Sequence, residues 1–131
     1  MDTASPSTVV REFIEALDKA DLTNASQLLA DKVVADVTQP DASTARLVGR
    51  DAYMTAVEAL DLPGVRPSIK ATQIADVSSH QAMAMIEIRA RRKGRRLHNF
   101  TAQLMTVEDG LIHRIWMVEA LPAESDAFWK A

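Results

Sequence analysis

The 131-residue chain contains no cysteine, which excludes disulfides, thiol nucleophiles and cysteine-ligated metals. No stretch approaches the roughly 20 consecutive apolar residues needed to span a bilayer, and residues 1–7 are polar where a secretory leader would be apolar. There is no glycine-rich phosphate loop, no nucleophile elbow, no internal repeat and no low-complexity tract. The histidines, His80, His98 and His113, are spread over separate segments, so neither a three-histidine metal site nor a cofactor is expected. The net charge is −3, from 15 basic and 18 acidic residues, which gives no global reason to expect nucleic acid or a membrane as partner. What is present is ordinary for a globular protein: 47% hydrophobic and 25% charged residues. One soluble, cytoplasmic domain over residues 1–131 is the expectation.

The pattern along the chain has two halves. Ser5-Pro6-Ser7 reads as a helix start, followed by an apolar stripe at Val10, Phe13, Ile14 and Leu17. Asp21 can cap a second helix with Leu22, Ala25, Leu28 and Leu29 inward. Residues 33–37 are a short β-prone run ending at Gln39-Pro40, where a loop of small and polar residues begins. Residues 50–60 are helical again, with Tyr53, Ala56, Val57 and Leu60 on one side, and Leu62-Pro63-Gly64 stops them. The period then changes from 3.6 to 2. Residues 68–77, 81–92, 95–107 and 111–120 read as four long strands, with hairpin turns at Lys93-Gly94 and Asp109-Gly110. Residues 122–129 form a tail that can dock Phe128 and Trp129. Helices followed by a strand meander predict an α+β fold, with helices covering one face of a curved antiparallel sheet.

Residues 9–17, followed by Asp21-Leu22 and Leu28-Leu29-Ala30-Asp31, together with the turn and last strand at residues 109–116, resemble the nuclear-transport-factor-2-like superfamily. That group includes ketosteroid isomerases, SnoaL-type polyketide cyclases, limonene epoxide hydrolases and scytalone dehydratases. The resemblance implies a cone-shaped (cystatin-like) fold, three N-terminal helices on a curved sheet, and an internal pocket. It also shows where this chain departs from the isomerases. Phe13 stands where they carry a tyrosine, Val37 where they carry the aspartate base, and Ala102 where they carry a protonated aspartate. None of the three can accept a proton or donate to an enolate oxygen, which argues against steroid isomerisation. The arginine-flanked aspartate pair of a limonene epoxide hydrolase is also not seen.

If each hairpin is a two-residue loop, Arg89 faces His98, Glu87 faces Phe100, Met85 faces Ala102 and Met83 faces Leu104. On the other side, Leu104 faces Ile115, Ala102 faces Met117 and Phe100 faces Glu119. The match at Ala102 implies that these residues line the concave, pocket face. That face is apolar at one end and gathers Glu87, Arg89, His98 and Glu119 at the other, so His98 and Glu119 are candidate acid/base residues with Arg89 as an anion clamp. The alternative is a set of solvated cross-strand pairs at the open end of the sheet. The opposite face, with Ile86, Ile88 and Trp116, is too apolar for solvent and is expected to form a homodimer, the alternative being that the tail covers part of it through Phe128 and Trp129. Asp36 is a further catalytic candidate near the family's base position, against the plainer reading of a solvated strand end. Tyr53 and Phe13 are candidate ligand contacts, against core aromatics. The basic run at residues 89–96 either attracts anions or protects a protruding hairpin as a solvated tip. Two functions follow: a cofactor-independent acid/base enzyme (cyclase, isomerase, dehydratase or hydrolase) on a small hydrophobic molecule, or a non-catalytic ligand-binding or dimeric accessory domain.

Overall fold

The computed structural model describes residues 5–130. Residues 1–4 and 131, and with them most of the polar amino-terminal stretch, lie outside the described residues. Ser5 caps α1 (Pro6–Asp18) by accepting the Thr8 N–H at 3.3 Å. Pro6 occupies the first turn, where its missing N–H removes no helical bond. Val10, Phe13 and Ile14 are fully buried, so truncating Phe13 to alanine would cost about 3–5 kcal/mol. Asp21 caps α2 (Leu22–Gln27) through the Asn24 N–H. The helix ends before Leu29, which opens β1 (Leu29–Thr38).

The segment expected as a loop turns back on itself and forms β2 (Thr44–Val48), antiparallel to β1 with Arg46 opposite Asp36. α3 (Arg50–Glu58) and the single turn α4 (Leu62–Val65) lead into the meander: β3 (Ser68–Asp76), β4 (Gln81–Arg92), β5 (Arg95–Glu108) and β6 (Leu111–Glu119). The tail is α5 (Pro122–Lys130). The α+β fold is as expected, with one more strand and two more helical segments. The six strands run in the order β2-β1-β6-β5-β4-β3, with β1 and β6 parallel. No helix among the described residues is long and apolar enough to cross a membrane.

Both hairpin turns are two residues long with positive φ throughout: 51° and 75° at Lys93-Gly94, 52° and 76° at Asp109-Gly110. The β4–β5 register is therefore the expected one, with Arg89 opposite His98 and Met85 opposite Ala102. The β5–β6 register starts as expected and then slips. Val107 pairs with Ile112, but Thr106 pairs with Arg114, leaving His113 as the extra residue of a β-bulge. The cause lies in the core. Ile112 and Ile115 are 0% and 1% exposed; three residues apart, they would point to opposite faces of an unbroken strand. The bulge turns both inward and leaves His113 exposed.

The core also decides which face is concave. The helices pack on the side of Ala82, Ala84 and Ile86 of β4 and Thr101 and Met105 of β5, all buried in one cluster or at its margin. Met83, Met85, Glu87, Arg89, His98, Phe100, Ala102 and Leu104 therefore stand on the convex face, contrary to expectation. The parity read from Ala102 points to the wrong side: its neighbours Thr101 and Gln103 face the helices, and a difference of one residue exchanges the faces of a strand. Ile115, Met117 and Glu119 do face inward, because the bulge restores them. Of the residues expected at a dimer surface, Ile86 and Ile88 are interior and Trp116 is on the convex face.

Candidate functional site

Between the sheet and the helices lies a cavity of about 260 Å³. Its walls are Leu17 of α1, Tyr53 and Val57 of α3, Leu60 and Leu62, then Ile69, Ile86, Ile88, Leu97 and Met117 from the sheet, with Trp129 of α5 across one side. Thr101, Gln103, Glu119 and Ser125 supply the polar positions. A mostly apolar hollow with a few convergent polar groups is the usual form of a small-molecule site.

The polar end is organised by Asn99, which is fully buried. Its Oδ1 accepts the N–H groups of Phe100 at 2.9 Å and Leu121 at 3.0 Å, and its Nδ2 donates to Glu119 Oε1 at 3.1 Å. One amide thus holds the chain as it leaves β6 and orients the carboxyl. Burial pushes the Glu119 carboxyl above the usual range, with hydrogen bonds from Ser125 and Asn99 opposing it in part. Burial likewise pushes the Tyr53 phenol up to about 12. Gln103 donates from Nε2 to Thr101 Oγ1 at 3.3 Å, while its buried Oε1 has no partner. α5 is fastened over this end. Arg92 Nη1 donates to the carbonyls of Phe128 at 3.0 Å and Trp129 at 2.8 Å, and Phe128 packs with Ala90 and Leu97.

Of the residues singled out from the sequence, Tyr53, Met117 and Glu119 line the cavity. Phe13 and Ile115 are core residues behind its wall, Phe13 with its ring centroid 6.1 Å from that of Tyr53. His98 and Glu119 do not meet, because the slip in β6 leaves them on opposite faces. His98 Nε2 is instead 2.7 Å from Glu87 Oε2, and Arg89 donates to the same oxygen at 3.2 Å. The hydrogen bond to His98 leads the effects that hold the Glu87 carboxyl below its usual value. Asp36 also lies on the convex face. It accepts from Arg46 at 2.9 Å and pairs with Arg114, whose guanidinium lies 4.6 Å from the centre of the Trp116 ring. The hydrogen bond from Arg46 is the main cause holding Asp36 below its usual value. Val37, by contrast, packs against the core. Thr101, Gln103, Ser125 and Trp129 also line the cavity, although the sequence did not single them out as ligand contacts. Their signal was the alternation of Ala82, Ala84, Ile86 and Ile88, which marks an interior face as readily as an interface.

The fold is similar to several solved structures. Bal32a from a soil-derived mobile gene cassette superposes with a TM-score of 0.79 at 16% identity, over 95% of each chain. An M. tuberculosis LEH-like epoxide hydrolase gives 0.73 at 16% identity, over 94% of this chain and 88% of that one. Rv0760c from Mycobacterium tuberculosis, in complex with estradiol-17beta-hemisuccinate, gives 0.70 at 18%, over 87% and 93%. At these identities the likeness is one of fold. No curated protein matches the sequence. Residues 10–115 match the SnoaL-like domain, and with most of its length inside that match the chain belongs to the SnoaL-like domain family, within the nuclear-transport-factor-2-like fold expected from its motifs.

Proposed function

We propose that the cavity binds a small, largely apolar molecule, turns its polar end toward Gln103 and Glu119, and exchanges a proton with it through Glu119. The observation that carries this is the half-desolvated Glu119 carboxyl, held by Asn99 at the end of an apolar hollow. A carboxyl whose pKa is raised toward the working pH can both take and return a proton. Isomerisation, dehydration or cyclisation without a cofactor are the reactions it suits. The unpartnered Gln103 Oε1 calls for a hydroxyl or N–H on the ligand. At about 260 Å³ the cavity is just below the common ligand-site range of roughly 300–1,000 Å³, which suits one or two rings. The steroid ester bound by Rv0760c supports a hydrophobic ligand class.

A second reading, binding without turnover, has its own support. Glu119 is the one carboxylate in the cavity wall, and a phenol at about 12 is a poor acid/base partner at neutral pH. The two are separated in a Trp116→Phe variant, which leaves Trp129 as the fluorophore. Titration with small cyclic ketones and alcohols reports binding, and loss of deuterium label next to the ligand carbonyl reports proton transfer. Saturable binding with label loss that stops in Glu119→Gln supports the enzyme. Binding with no label loss supports the carrier. No saturable binding by any of them sinks both.

The convex face supports a homodimer, with residues other than those first expected. Met83, Phe100, Trp116 and Val118 are 46%, 38%, 37% and 63% exposed there, on three neighbouring strands, and exposed apolar residues grouped on one face are what a partner surface covers.

A further inference from the structure

A second concavity, of about 600 Å³, lies at the β4–β5 hairpin, outside the cavity described above. Arg66, Arg89, Arg91 and Arg96 line it, and no acidic residue does. Arg91 and Arg96 are directly opposed on neighbouring strands. Like charges in that position repel, and neither arginine has an ion pair or hydrogen bond among the described residues. Arg89 and His98 are already served by Glu87, so the uncompensated charge sits at Arg91 and Arg96. Arg66 enters from a different element, on a left-handed backbone with φ 53° that a non-glycine residue adopts at a cost. Val65, Ala90 and Leu97 border it, but Ala90 and Leu97 are buried with their side chains packed against Phe128 on the other face of the hairpin.

A solvated tip would do as well with its charges spread apart. Opposed arginines with no acidic neighbour in the concavity, joined by a third from another element, instead match a group with several charged oxygens. Guanidinium forks bind phosphate oxygens in pairs. We propose that this groove binds a phosphate or diphosphate group, with Arg91 and Arg96 on the phosphoryl oxygens and Arg66 beside them. The site is independent of the cavity chemistry of Glu119.

The test uses inorganic pyrophosphate, titrated into the whole protein at low ionic strength and followed by amide NMR shifts and calorimetry. Saturable binding is expected, with shifts centred on residues 89–98. The Arg91→Gln/Arg96→Gln variant should bind at least about tenfold more weakly, while a Lys32→Gln/Arg11→Gln variant, which removes the same charge elsewhere, should bind as the parent does. Without pyrophosphate the first variant should melt no lower than the parent, because it relieves repulsion, so weaker binding cannot be put down to unfolding. Equal weakening in both variants, or no pyrophosphate binding, overturns the proposal. So does adsorption to phosphatidylserine vesicles that pyrophosphate fails to displace, since the groove would then be reading a charged surface and not a phosphate ligand.

Discussion

Asn99 and Glu119 are joined across the β5–β6 ladder by a 3.1 Å hydrogen bond from the buried amide to the carboxyl. The same amide accepts the Leu121 N–H that starts the path into α5. Site geometry and the seating of the last helix therefore depend on one side chain. Asn99→Ala should destabilise the fold by about 2–4 kcal/mol, since it leaves two backbone donors without their acceptor and takes one of two hydrogen bonds from the Glu119 carboxyl. Urea denaturation measures the loss, and a loss under about 0.5 kcal/mol would show that the network carries no weight.

Glu119 should make stability fall as pH rises. Its folded-state carboxyl holds its proton more tightly than in the unfolded chain. The stabilising contribution is therefore complete below the unfolded value, near 4.3, and is lost as pH climbs through the raised folded value. Glu119→Gln should melt like the parent in acid and a few degrees higher, roughly, at neutral pH, the gap kept small by the part of the group that stays hydrated. A variant less stable than the parent at pH 7 and above would contradict the raised value.

Gln103 should trade stability for recognition. Its buried Oε1 has no partner in the free protein, so Gln103→Met should raise stability by about 1 kcal/mol. It should also weaken any ligand that carries a hydroxyl more than its deoxy analogue. Equal weakening of the pair would show that Gln103 does not read the polar end.

His113 is expected to act as the extra residue of the bulge and not through its side chain. It is exposed at the bulge, so His113→Ala should change stability by under about 0.5 kcal/mol. Its deletion should leave a cooperative unfolding transition in place, because Ile112 and Ile115 would then stand two apart and both face inward in an unbroken strand. A deletion variant that no longer unfolds cooperatively would refute the account of the bulge.

On the convex face, Val118→Arg should convert a dimer into a monomer in light scattering at micromolar concentration, since a desolvated unpaired charge would meet its symmetry copy. A parent that is monomeric at those concentrations removes the dimer.

Much of the fold was legible because it rests on local rules. Ser5 and Asp21 cap the helices assigned to them, and Lys93-Gly94 and Asp109-Gly110 adopt the positive-φ turns their residue types favour. β2 was not legible: Thr44–Val48 is short, half-exposed and an edge strand, so it has little apolar alternation to show. The site was legible in part. Tyr53, Met117 and Glu119 line the cavity, whereas pairing His98 with Glu119 required an unbroken β6.

By itself, then, the sequence determined the α+β class, the order of the main elements, both hairpin turns and the β4–β5 register, all set by periodicity and by backbone preferences within a few residues. Tertiary structure decided which face of the sheet is concave and where β6 slips. Side-chain direction in a strand has a period of two, so a single extra residue exchanges faces, and only the demand that both Ile112 and Ile115 be buried in a core built from α1, β1 and β4 selects that residue as His113.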